Sequence, residues 1–236
     1  MTDGKAVGTQ GYRIKNPCKK AFVLRADFHN PANSGSEISG KSQKAQNIGN
    51  FNAIPLVGTF LEHMFRRHLE RQYLFEAGSS AKGIDFPDLG VDVKVTSIRQ
   101  PQSSCPFTSA RQKIYGLGYS LLVFVYDKND DKKSRTATLA VKHVIFIEKE
   151  RTGDFQTTTG ILSILEHDGN EDDIFAFLSD RNLPLDEIQA RELSREILSR
   201  RPLIGYLTIS NALQWRLQYS RVIAKAGEVD GVQRIL

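Results

Sequence analysis

Between residues 83 and 95 the chain reads Gly-Ile-Asp-Phe-Pro-Asp-Leu-Gly-Val-Asp-Val-Lys-Val. Val91, Val93 and Val95 alternate with Asp92 and Lys94, the two-residue period of a strand whose faces meet different surroundings. Pro87 to Gly90 interrupt the apolar pattern with turn formers. The segment reads as two short strands around a tight turn, and a chain that contains it must build a sheet. Asp92 and Lys94, two positions apart, project from one face. Asp85 shares that face if it pairs with Asp92, which a two- or four-residue turn provides, whereas a three-residue turn places it opposite. Asp88, after Pro87, is the alternative first carboxylate. A purely structural reading also exists, with the valines inward and the charges in solvent.

The rest of the sequence bounds what such a sheet can serve. With 236 residues, 40% hydrophobic and 25% charged, the chain suits one large globular domain, or one domain with a small annex. A net charge of +5 and a pI near 9.2 permit binding to a polyanion without requiring it. The two cysteines, Cys18 and Cys105, lie far apart, which argues against a disulfide framework or a structural zinc site and suits a reducing cytosol. The N-terminus lacks the apolar core of a signal peptide, and the longest apolar run, 121–125, is far too short to cross a bilayer, so no membrane partner is expected.

Along the chain, residues 20–28 read as a strand and 29–50 as a polar loop, or an arm that orders on binding. Leu56, Phe60, Met64 and Leu69, with Pro55 before and Gly78 after, mark a helix over 55–76 that carries Glu62 among apolar neighbours. A carboxylate partly buried there needs a partner. Residues 97–108 form a polar extended loop, 109–115 a short helix, and 119–126 a buried strand. A turn follows at 129–133, then a strand pair or bent strand over 137–147. The acidic run 166–173 lacks the ligand spacing of a calcium loop and reads as a solvated turn. Helices are expected over 185–200 and 206–226. The second carries Gln214, Trp215, Arg216, Gln218, Tyr219, Arg221 and Lys225, a mixture suited to phosphates and base edges, or to a terminal helix with one wet face.

The hairpin has the chemistry of phosphodiester hydrolysis. That reaction needs charge neutralisation at the phosphate, an activated water and a stabilised leaving oxygen. One or two magnesium ions supply most of this, and hard cations take oxygen ligands. Asp85, Asp92 and the backbone carbonyl of Val93 are the candidate metal ligands. Lys94 is the candidate for orienting or deprotonating the attacking water and for stabilising the transition-state charge.

Helix, acidic hairpin, Asp92-Val93-Lys94, helix and strand, in that order, resemble the PD-(D/E)xK nuclease superfamily. Within it, Asp85 to Lys94 is most similar to the MutH mismatch-repair nickase and its restriction-enzyme relatives, and 57–62 (Val-Gly-Thr-Phe-Leu-Glu) is similar to the setting of their helical glutamate. The resemblance covers roughly 55–126. It implies Glu62, Asp85, Asp92 and Lys94 as catalytic positions, with aspartate at 92 where these relatives usually carry glutamate. It implies an α+β (α/β) fold, a central mixed sheet flanked by helices; the N-terminal arm and this restriction-endonuclease-like core are expected over 1–165, and over 166–236, outside the resemblance, a helical C-terminal part packed on the core and contacting DNA. It further implies a magnesium-dependent type II restriction endonuclease acting on double-stranded DNA. Such an enzyme is expected to be a homodimer in the cytoplasm of a bacterium or archaeon, beside a cognate DNA methyltransferase. Arg99, Gln100, Gln102, Gln214, Arg216 and Arg221 are the candidate DNA contacts. Two other readings are a repair nickase of the same fold and a non-catalytic basic DNA-binding module.

Overall fold

The structure, a computed structural model, describes residues 23–26, 61–62, 64–69, 84–105, 109–131, 136–210 and 215–236. The expected arm over 29–50, most of the 55–76 helix and Gln214 lie outside them.

The central sheet holds five strands. β1 (Val23–Ala26), β5 (Thr136–Ile147), β4 (Ser120–Asp131) and β2 (Val91–Ser97) are neighbours in that order. β8 (Val232–Arg234) pairs with the far end of β5. β2 runs parallel to β4 and every other pairing is antiparallel, so the sheet is mixed. β4 continues through 129–131, where a turn was expected, because Asn129, Asp130 and Asp131 pair with Thr138, Ala137 and Thr136. The bend expected in β5 is a register shift between Val125 and Tyr126 of β4, which leaves Lys142 as the extra residue.

A second, antiparallel sheet joins β3 (Gln102–Ser104), β7 (Arg216–Gln218) and β6 (Thr208–Ile209). This corrects the helix expected over 206–226, where among the described residues only α6 (Ser220–Lys225) is helical. The reason is a period of two: Trp215, Leu217 and Tyr219 are buried while Arg216 and Gln218 are exposed. β3 likewise replaces part of the loop expected over 97–108.

Helices α1 (residues 61–62 and 64–69 described), α2 (Arg111–Tyr115), α3 (Phe155–Glu166), α4 (Glu171–Asp180) and α5 (Glu187–Ser199) complete the fold. The acidic run at 166–173 is not one turn. Glu166 ends α3, and Glu171, Asp172 and Asp173 form the first turn of α4, where carboxylates complement the helix dipole. Asn170 and Asp173 close a capping box there, and Asp186 and Gln189 close another on α5.

Two cores result. One lies between the sheets, where Leu121, Val123, Val125, Ile145 and Ile147 meet Ile209, Trp215, Leu217 and Tyr219. The other is built by α2 to α5 from residues such as Ile114, Ile161, Ile174, Leu178, Leu193 and Ile197. Among the described residues, no helix is long and apolar enough to cross a membrane.

Candidate active site

β2 is an edge strand, and the acidic turn folds back on its free side. Phe86 and Val91 exchange backbone hydrogen bonds of 3.0 and 3.1 Å around the four residues Pro87 to Gly90. Pro87–Leu89 form a 3-10 turn, and Gly90 closes it at φ 60°, a left-handed conformation in which a side chain is strained. The four-residue turn is the register that carries Asp85 back towards Asp92. Asp85 Oδ2 accepts from Val93 N at 3.0 Å. In a strand, the N–H and C=O of one residue point the same way, so the Val93 carbonyl faces this free edge as well.

Both faces of β2 are covered. Val93 is 4% exposed and Asp92 3%, so the valines-in, charges-out alternative does not describe this strand. By register Asp92 and Lys94 lie beside Leu121 and Val123, facing the core between the sheets. α1 docks on the other face through Phe65, whose ring is 5.0 Å from Phe124 and 6.5 Å from Phe86. From there Glu62 and Arg66 reach the carboxylates round the strand edge.

Four expected residues thus converge. Lys94 Nζ lies 2.7 Å from Asp92 Oδ2. That oxygen is buried and makes no well-formed hydrogen bond. Burial pushes the Asp92 carboxyl above the ordinary carboxylate range, with Lys94 pulling it down and Asp85 adding to the rise. Burial, with Asp85 as its first electrostatic neighbour, pushes Glu62 up to about 6. Asp88, the alternative first carboxylate, is exposed in the turn.

A further member was not foreseen. Arg66 donates to Asp85 Oδ1 at 2.7 Å. It stands four residues after Glu62 on one helix face, a spacing common on solvated helices that does not by itself single it out. Behind Asp92 lie further hydroxyls. Tyr219 OH and Ser103 Oγ are 2.6 Å apart, and burial pushes the Tyr119 and Tyr219 hydroxyls well above their ordinary range, Asp92 adding to both shifts.

Comparison with known proteins identifies what this geometry belongs to. A family model for type II restriction enzyme NspV matches residues 26–234. The chain is 64% identical over 176 residues to type II restriction enzyme NspV of Nostoc sp., covering 75% of this chain and 80% of that protein. The chain belongs to the NspV family of type II restriction enzymes. It is therefore a restriction endonuclease, and the nickase and binding-module readings are not favoured. No solved structure matches it.

In this NspV-family chain the expected DNA contacts are scattered. Arg99 and Gln100 are exposed in the turn after β2, Arg99 lying 3.7 Å from Asp127. Gln102 and Arg216 sit on adjacent strands of the small sheet. Arg221 stands apart on α6, its guanidinium 3.7 Å above the Phe155 ring.

The residues present suit a divalent cation. Among the described residues no three His, Cys, Asp or Glu side chains surround one point. A cation here would rest on Asp85 and Asp92, the Val93 carbonyl and water, a sparse protein set of the kind that suits an ion retaining several waters. The buried Asp92 Oδ2, which lacks a well-formed hydrogen bond, and the neighbouring Asp85 carboxylate fit that role.

Proposed function

We propose that this restriction endonuclease hydrolyses phosphodiester bonds of double-stranded DNA at the free edge of β2, in the manner of the PD-(D/E)xK superfamily. Asp85, Asp92 and the Val93 carbonyl hold one or two magnesium ions. When bound, magnesium neutralises phosphate charge and acidifies water. Lys94 aims its ammonium at the attacking water and the developing charge on phosphorus-bound oxygen. Glu62, titrating near 6, holds or releases a proton beside Asp85. Arg66, paired with Asp85 Oδ1, offsets part of the carboxylate charge beside the metal ligands.

Cutting both strands at a short site calls for two active sites related by a two-fold axis, so the working form is a homodimer. Such activity also implies a cytoplasmic enzyme with a methyltransferase protecting the same sequence.

The observation that carries this reading is the convergence of Glu62, Asp85, Asp92 and Lys94 around one buried, unsatisfied carboxylate oxygen. Plasmid digestion with and without magnesium, for wild type and Lys94→Ala, tests it. Discrete linear fragments that require both magnesium and Lys94 are expected. Nicked circles alone, or digestion that persists in Lys94→Ala, overturn it.

A further inference from the structure

The small sheet presents two unlike faces. On the inner one, Leu217 and Ile209 are 0% and 4% exposed and close the core. On the outer one, register sets Gln102 beside Gln218, and Gln218 beside Thr208. The next row sets Ser104 beside Arg216, and Ser210 is joined to Arg216 through Ser210 N to Arg216 O and Arg216 N to Ser210 Oγ, both 3.2 Å. These six positions carry one cation, two amides, three hydroxyls and no carboxylate. By contrast, α4 opens on three acidic residues, which repel phosphate.

We propose that this outer face enters the major groove and reads base edges, with Gln218 and Gln102 as the specificity-determining pair. The inference rests on the double-strand cleavage proposed above and adds the surface that meets the bases. Glutamine donates to and accepts from the N6 and N7 edge of adenine, and arginine grips guanine O6 and N7. β3 and β7, which carry Gln102 and Gln218, are adjacent antiparallel strands about 4.8 Å apart, a two-stranded ribbon of the kind that a major groove about 12 Å wide admits.

The face is also tied to the catalytic strand. Gln102 N donates to Thr96 Oγ1 at 2.8 Å, and Thr96 Oγ1 donates to Gln102 O at 3.1 Å. Thr96 is 3% exposed and lies four residues beyond Asp92 on β2, about 13 Å at the usual strand rise. The hydrogen bonds between Thr96 and Gln102 therefore couple the reading face to the strand that carries Asp92 and Lys94.

The test uses full-length Gln218→Ala and Gln102→Ala on duplexes in which each base pair of the cleaved site is changed in turn. Both positions lie on the outer face, so thermal melts should match wild type. The expected result is a fall in kcat/KM of roughly 5- to 100-fold, with discrimination lost at one A·T pair of each half-site and kept elsewhere. Unchanged discrimination at every position overturns the proposal, as does an equal loss at all of them. The two readings fail separately. If Lys94→Ala still cuts while Gln218→Ala relaxes one base pair of each half-site, only the cleavage assignment falls. If Lys94→Ala is inert and Gln218→Ala discriminates as wild type does, only the reading face falls.

Discussion

Asp92 on the edge strand and Asp154 at the start of α3 are buried alike, 3% and 5% exposed, yet their surroundings differ in kind. Asp154 Oδ2 accepts from Thr157 N at 2.9 Å and Thr157 Oγ1 at 2.7 Å, and Oδ1 accepts from Ile209 N at 2.8 Å. It caps a helix and ties it to β6 of the small sheet. Asp92 has one ammonium beside it, a buried oxygen without a well-formed hydrogen bond, and carboxylates for neighbours. A buried carboxylate whose lone pairs are met by backbone and hydroxyl donors supports structure. One left short of donors among like charges stores an unfavourable interaction that a cation relieves.

The contrast is broken most severely at Asp92. Asp92→Asn should cut cleavage by roughly 10^2- to 10^3-fold or more, the scale on which single charge-stabilising groups act. The same change should leave the fold intact, with a thermal midpoint in EDTA near pH 7 close to that of wild type. Burial disfavours the Asp92 anion, which offsets the loss of its ion pair with Lys94. Magnesium should raise the wild-type midpoint and move that of Asp92→Asn far less. A variant that melts well below wild type in EDTA would show that Asp92 is a structural residue like Asp154.

Asp154→Ala should do the reverse. It strands Thr157 N and Ile209 N in the interior and removes a helix cap, a loss of about 2–4 kcal/mol in urea unfolding. Activity per folded molecule should stay close to wild type, as measured by kcat after correction for the folded fraction. The nearby crossing of Gly153 and Gly205 leaves little room for relaxation, since a Cβ on Gly205 would fall 2.2 Å from Gly153 backbone atoms. If activity falls further than stability explains, α3 contributes to the reaction and the division between the two aspartates is wrong.

The two regions were unequally legible in the sequence. The β2 edge was readable in part: valine alternation marks the strand and the face shared by Asp92 and Lys94, while the turn length that brings Asp85 to Asp92 is decided only by the Phe86–Val91 pairing. Glu62 was readable from its helical surroundings, whereas Arg66 looks like any cation on a solvated helix until Asp85 is placed beside it. The Asp154 region was not readable. Thr157, Thr158 and Thr159 are weak helix formers, and α3 depends on the Asp154 cap and on Ile161 packing at 0% exposure. β6 and β7 were misread as helix, and β3 as loop, because strands of two or three residues are too short for their period to stand out in the sequence. Only the pairing of distant segments, 102–104 with 216–218, makes them strands.

The smallest expected effect concerns Glu62, which separates storage of unfavourable charge from simple burial. Its carboxyl titrates near 6 in the folded protein against an ordinary 4.5. Folding therefore favours the protonated form. The stability this contributes is complete below about 4.5 and is lost as pH rises through about 6, since the native state binds more protons across that window. In EDTA, wild type should lose stability relative to Glu62→Gln between pH 4.5 and 6, and the two curves should run parallel above it. The side chain is only partly buried, so solvent screening keeps the difference small. Asp85 is the first charge acting on Glu62, after burial itself. Repeating the measurement in an Asp85→Asn background should therefore narrow the gap without closing it. A gap of unchanged size would mean that burial alone sets the Glu62 shift, and that the carboxylates at the β2 edge do not act on one another as a cluster.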